Sequence, residues 1–302
     1  MRLPCALLSL ALLALLPASS AAGDGPATDR PAGPDGVLGP GGAVRFGALA
    51  TGGGTAVTKA QVRGGRVLRA NVLPGRWGVP VVAYDGTPGG LSGDGSTLVL
   101  VRTATTFPPK RTTLALLGAN RLRVQRKVSL PGKWTYDALS PDASTLYLTQ
   151  TLDPRRGRYA VRAYDLRAGR LLPDPVVDPS EPDEPMRGFP VTRVTGPGGR
   201  WEYTLYAGGE HPFVHALDTV RRESLCLDLP HRVEHRLWRN RLVIRGGSVQ
   251  VRRGDRLIAS APRRPEQAST GGGPPWAVAL LVLSGLVAAA GVRSVVSAAR
   301  TE

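Results

Sequence analysis

The strongest constraint on this chain is a stretch that it uses more than once. Leu139-Ser-Pro-Asp-Ala-Ser-Thr-Leu-Tyr-Leu-Thr149 reads as a turn feeding a β-branched and aromatic run. Proline presets φ at the first central turn position, and Asp bonds back to the local backbone. The next position favours φ > 0, so Ala143 would stand where glycine is easier, at a cost of up to about 1 kcal/mol. A second run, Tyr159-Ala-Val-Arg-Ala-Tyr-Asp165, leads into a turn that ends on Gly169. The pattern recurs. Leu91–Val99 repeats Leu139–Tyr147 at an offset of 48 residues, and Gly196–Tyr203 repeats Ser140–Tyr147 at 56. A second landmark, Leu73-Pro-Gly-Arg-Trp77, returns as Leu130-Pro-Gly-Lys-Trp134 at an offset of 57. Such self-similarity means one small unit built several times, each copy burying its apolar face against the next. Thr145–Leu148 and Ala160–Tyr164 should therefore be adjacent antiparallel strands, with Asp142 and Asp165 serving as turn residues.

Ser-Pro-Asp-x-x-x-Leu-Tyr followed by Tyr-Asp-Leu-x-x-Gly resembles the repeat of bacterial secreted WD40-like and YVTN-type β-propellers. The resemblance covers roughly residues 42–262 and brings no catalytic residues with it. Strand-like runs number three in residues 43–74 and four in each of 79–130, 134–178, 189–229 and 234–261. At about four strands per blade this is an all-β, small β-propeller of about five blades, the first of them incomplete. Six blades follow if residues 43–74 hold one more strand. An open sandwich is the structural alternative.

The two ends read differently. Met1–Ala22 has the pattern of a signal peptide: Arg2, an apolar run over Leu3–Leu16, then small residues at Ser20-Ala21-Ala22. Residues 23–42 are rich in Gly, Pro, Ala and Asp without periodicity and read as a disordered leader. Residues 43–262 form the ectodomain, and 263–275 a flexible linker. Trp276–Val292 is an apolar run long enough for one transmembrane helix within 276–299, with Arg293 and Arg300 on its cytoplasmic side and a short tail to Glu302. The expected topology is single-pass type I at the cell membrane, with the ectodomain extracytoplasmic. Gln267-Ala-Ser-Thr-Gly271 resembles a sortase sorting signal with Gln267 in place of Leu. The plainer reading is a Ser/Thr/Gly linker, which this composition favours.

The formal charge is +16, carried almost wholly by arginine, since the lysines are only Lys59, Lys110, Lys127 and Lys133. Outside a cell such a field attracts anionic lipid or envelope polymers. Export and an aromatic content of 5% speak against nucleic acid as a partner. The four histidines, His211, His215, His231 and His235, lie within 25 residues of one another. His231-Arg-Val-Glu-His235 resembles the His-x-x-Glu-His metal pattern, but that chemistry needs a helix and a third ligand, from Asp255 or Glu266, in a strand-rich tail. His215 reads as a buried histidine of a sheet. Cys226, the one cysteine outside the signal, reads as a small buried residue. The acidic stretch 173–190, with Asp174, Asp178, Glu181, Asp183 and Glu184, lacks calcium-loop spacing and reads as a solvated inter-blade loop. Arg253-Gly254-Asp255 reads as a hairpin turn.

No catalytic, cofactor-binding or metal-binding residue is assigned, and no cofactor is expected. The function expected is that of a membrane-anchored binding module for a protein or an envelope polymer. The alternatives are a propeller enzyme of hydrolase or lactonase type with a channel-centred site, and an arginine-driven binder of anionic envelope polymers.

Overall fold

The computed structural model describes residues 36–184, 186–208, 211–230, 233 and 236–262. They form nineteen strands in five antiparallel sheets. The first sheet is β1 (Val37–Leu38), β2 (Val44–Thr51), β3 (Gly54–Gln61) and β4 (Val67–Leu73). The second is β5 (Trp77–Gly78), β6 (Thr97–Arg102), β7 (Arg111–Gly118) and β8 (Arg123–Pro131). The third is β9 (Trp134–Leu139), β10 (Thr145–Asp153), β11 (Arg158–Asp165) and β12 (Arg170–Val176). The fourth is β13 (Phe189–Thr195), β14 (Trp201–Ala207), β15 (Phe213–Asp218) and β16 (Glu223–Asp228). The fifth has three strands: β17 (Arg241–Arg245), β18 (Ser248–Arg253) and β19 (Arg256–Pro262). Each is an up-and-down meander in sequence order, a propeller-like arrangement.

The total matches the sequence expectation, but its distribution does not. The first sheet is complete and the last has three strands. The strand missed in the first sheet is β1, inside the 23–42 leader. Two residues of strand between Gly36 and a Gly-Pro-Gly-Gly turn carry too little periodicity to register. The pair staked on the repeat is as expected: Thr145 faces Asp165 and Leu148 faces Arg162 across β10 and β11. The signal peptide, the 263–275 linker, the Gln267–Gly271 motif and the Trp276–Val292 segment lie outside the described residues. Among the described residues no helix is long and apolar enough to cross a membrane.

Burial follows position within a sheet. All six residues of β9 are buried, whereas β8 has one buried residue in nine. The first strands of the third and fourth sheets are packed on both faces by neighbours and are largely buried. The fourth strands β4 and β8 face solvent over most of their length. Consecutive sheets share their cores. Phe46 and Trp77 join the first and second, Leu114 and Leu148 the second and third, Tyr147 and Tyr206 the third and fourth, and Leu205 and Val249 the fourth and fifth.

One turn is built four times. Gly42 donates to Gly39, Gly95 to Ser92, Ala143 to Ser140 and Gly199 to Gly196, at 2.8–3.0 Å. The donor has φ of 69°, 70°, 54° and 74° respectively. Ala143 does adopt the left-handed conformation anticipated for it. The landmark ending in tryptophan is a second shared device. The Thr55 hydroxyl donates to Gly75 O and accepts from Trp77 N, and Thr112 does the same with Gly132 and Trp134, at 2.8–3.0 Å. Each threonine thus ties the inner strand of the next sheet to the sheet before it.

Candidate functional site

A propeller's usual place for chemistry is its axis, and here backbone of the second sheet reaches across to the fourth. Residues 81–88 leave the first strand of the second sheet as a finger closed by a Val81–Pro88 bridge. At its tip Tyr84 N donates to Pro190 O at 2.9 Å and Asp85 N donates to Val191 O at 3.1 Å, so the finger reaches the inner edge of β13. The Tyr84 ring meets Phe189 and Trp238 edge-on, and Asp85 lies 3.6 Å from Arg241 of the fifth sheet. At one end the four repeated turns meet. Asp94 N donates to Pro141 O at 3.3 Å, and a Cβ on Gly95 would stand 2.8 Å from Pro40. A Cβ on Gly93 would stand 2.1 Å from Gly198 O. Only glycine permits so close an approach of two backbones.

Between the third and fourth sheets runs a buried polar seam. A bulge in β9 skips Asp137 in the pairing with β10, aiming its carboxylate at Arg193 of β13. The Arg193 guanidinium donates to Asp137 Oδ1, to Asp137 O and, at 2.7 Å, to the Thr204 hydroxyl. In register, Arg193 faces Thr204, Thr204 faces His215 and His215 faces Cys226, so all four share one face of the sheet. His215 is 1% exposed, and Nε2 has no hydrogen-bond partner. Burial holds its pKa down at about 4, so the ring is neutral near pH 7. Glu202, also buried, accepts from the Thr195 hydroxyl at 2.8 Å. Burial raises it to about 7 against the opposing pull of Arg193. Only Arg193 and Asp137 form an ion pair, and both side chains are buried.

The seam ends at a cavity of about 260 Å³, where the 177–188 connection meets β15 and β16. Its polar lining is Asp178, Glu181, Glu184 and Asp228 with Arg187 among them, and its apolar wall is Val177, Met186 and Phe213. Asp178 is 8% exposed and structural, which corrects the reading of the whole stretch as a solvated loop. Its Oδ1 accepts from the Ser180 N–H and hydroxyl, and its Oδ2 accepts from Cys226 N at 2.9 Å, pinning the connection to β16. Glu181, Asp183 and Glu184 are exposed, as expected. A hydrogen bond with Glu184 raises the pKa of Glu181, and burial raises that of Asp228. Chemically, these carboxylates accept hydrogen bonds from an ammonium or guanidinium group.

Cys226 lines this cavity half-buried rather than fully buried. Burial, then the negative charge of Asp178, pushes its thiol up to about 12, which suppresses the thiolate. His211 stands at the mouth, with Nδ1 3.6 Å from Asp228. His231 and His235 lie outside the described residues, as does Glu266. Among the described residues no three His, Cys, Asp or Glu side chains come together as a metal site. Arg253-Gly254-Asp255 is the β18–β19 turn, with Gly254 at φ 58°. Asp142 and Asp165 accept backbone N–H groups within their own turns. Sequence reasoning missed the Asp137–Arg193 pair. The available signal was a lone charge inside an apolar inner-strand run in two successive repeats.

Sheets, turns and axis thus define an all-β protein of propeller-like fold. No family model matches the chain, and no curated protein does. Similar solved structures include hydrazine synthase of Kuenenia stuttgartiensis, at 12% identity and a TM-score of 0.46, covering 88% of this chain and 85% of that one. Another is the Cps50 (Swd1) β-propeller domain of Myceliophteria thermophila, at 12% identity and a TM-score of 0.43, covering 77% and 68%. Likeness at that level adds no weight to a fold that rests on the sheets and contacts above.

Proposed function

We propose that this chain is a membrane-anchored, extracytoplasmic binding module that engages a protein or an envelope polymer through its outer surfaces. The observation that carries the reading is contact across the middle of the array: the Tyr84 finger reaches β13 and the Gly93 and Gly199 turns touch. A channel-centred hydrolase needs convergent, accessible groups at a channel mouth. Here the charged pair of the inner strands, Asp137 and Arg193, is buried and held by its own ion pair. Anchoring rests on the apolar run Trp276–Val292 and the signal pattern of Met1–Ala22.

Cell fractionation tests the anchor. The chain should stay with membranes washed in alkaline carbonate, and protease added to intact cells should remove residues 43–262. Release by carbonate would sink the anchored reading. Material that resists detergent and is freed by wall hydrolase would assign Gln267–Gly271 to sorting instead. Pull-down from native membranes should return a stable partner. Turnover of ester or lactone substrates by the purified chain, with no partner recovered, would favour the enzyme.

A further inference from the structure

We infer that the face carrying the repeated turns is a docking surface for anionic phospholipid headgroups. This deepens the anchored reading and rests on it.

In an antiparallel meander the turns after the first and third strands lie at the same end. Four equivalent bonds join them: Val62 N to Ala43 O, Ala119 N to Ser96 O, Leu166 N to Ser144 O and Thr219 N to Arg200 O, at 2.8–3.0 Å. The first turns of four sheets touch around the axis, so these turns share one face of the molecule. The outer turns ring that face, and each carries two exposed arginines. The first sheet supplies Arg63 and Arg66, the second Arg121 and Arg123. The third supplies Arg167 and Arg170, the fourth Arg221 and Arg222. Of the carboxylates on the same face, Asp218 is buried against Arg200, whereas Asp94, Asp142 and Glu223 are exposed, so the eight arginines outnumber the acidic groups beside them. The opposite face bears the acidic cavity. That end is basic as well, with Arg76, Arg102, Arg111, Arg155 and Arg187 exposed, so charge alone does not choose between the two faces.

The path of the chain selects the occupant. The start of β17 lies beside the start of β13, since Arg241 and Val191 both meet Asp85. The two strands thus run the same way, and the β17–β18 turn joins the arginine face. Pro262 pairs with Ser248, which follows that turn, so β19 also ends on this face. Thirteen residues, 263–275, separate that point from the apolar run at Trp276. A linker of this length reaches at most about 45 Å and averages about 20 Å. An anchor at 276–292 then holds the arginine ring toward the lipid surface and the acidic cavity away from it. Guanidinium groups suit phosphate because they donate in a planar fork.

The test uses the full chain reconstituted into vesicles of phosphatidylcholine alone or with phosphatidylglycerol. Flotation reads the anchor, and phenylglyoxal modification read by mass spectrometry reports each arginine. The chain should float with both vesicles. On anionic vesicles the ring arginines should react several-fold more slowly than on neutral ones, while Arg76 and Arg155 at the opposite end react equally on both. Raising salt to molar levels, where the screening length falls to about 3 Å, should abolish the protection. Flotation with both vesicles and no differential protection overturns the docking surface and leaves the anchor standing. Failure to float with neutral vesicles overturns the anchor, and the inference with it. Protection by soluble polyphosphate, with none from anionic vesicles, would transfer the face to a polymer and also overturn it.

Discussion

Gly93 and Gly199 touch across the axis: a Cβ on Gly199 would stand 2.6 Å from Gly93 Cα. The contact joins the second and fourth sheets, which are not neighbours in sequence, and closes one end of the molecule. Gly93→Ala should destabilise by about 1–3 kcal/mol, the range for overpacking between elements that cannot move apart. Gly52→Ala, where nothing lies within 4 Å of the new Cβ, should sit within about 0.5 kcal/mol of the parent. Urea midpoints compare the two, and equal losses would remove the axial contact as a stability element.

The buried pair gives a sharper contrast. Arg193→Met or Asp137→Leu alone strands a charge among apolar neighbours and should cost about 3–5 kcal/mol. The double variant removes both charges and should recover most of that loss. Strict additivity in the cycle would mean that the two residues do not act as a unit.

Two buried groups pull stability in opposite directions with pH. His215 titrates at about 4 when folded against a usual 6.5, so the unfolded chain binds the proton first. Its contribution is full above about pH 6.5 and is lost as pH falls toward 4. Glu202 titrates at about 7 against a usual 4.5, so the folded chain keeps its proton longer. Its contribution is full below about pH 4.5 and is lost as pH rises toward 7. Relative to the parent, Glu202→Gln should steepen the fall in stability on acidification, and His215→Gln should steepen the fall toward neutrality. Each change is at most about 3 kcal/mol. Unfolding midpoints from pH 4 to pH 7.5 check both signs.

The tryptophan landmark predicts matched losses at two distant places. Thr55→Val and Thr112→Val each leave the N–H of a following tryptophan without its acceptor. Each should cost about 1–3 kcal/mol. A loss at one site only would mean that the two landmarks are alike in sequence but not in energetics.

Much of the fold was legible in the sequence because turns are local. Ser140-Pro-Asp and Asp165 declare themselves through residues that bond their own backbone, and the strand runs follow from the spaces between. The first turn escaped notice although Gly39-Pro-Gly-Gly42 is spelled like Gly196-Pro-Gly-Gly199. The two-residue strand before it offers no pattern to align. Positive φ is shared by Leu122, Gly169 and Arg222, which donate in equivalent turns of three sheets, so glycine marks that turn in one sheet of the three.

By itself, then, the sequence determined most of the strands, the pairing of β10 with β11 and the repeated turns. These depend on contacts a few residues apart and on alternation along one strand. The tertiary structure alone decided what lies on the axis, which charges are buried and where the arginines gather. The Tyr84–Pro190 bond, the Asp137–Arg193 pair and the ring of turn arginines each join residues that only the packing of separate sheets brings together. Such contacts answer to the geometry of the whole array, and no local pattern encodes them.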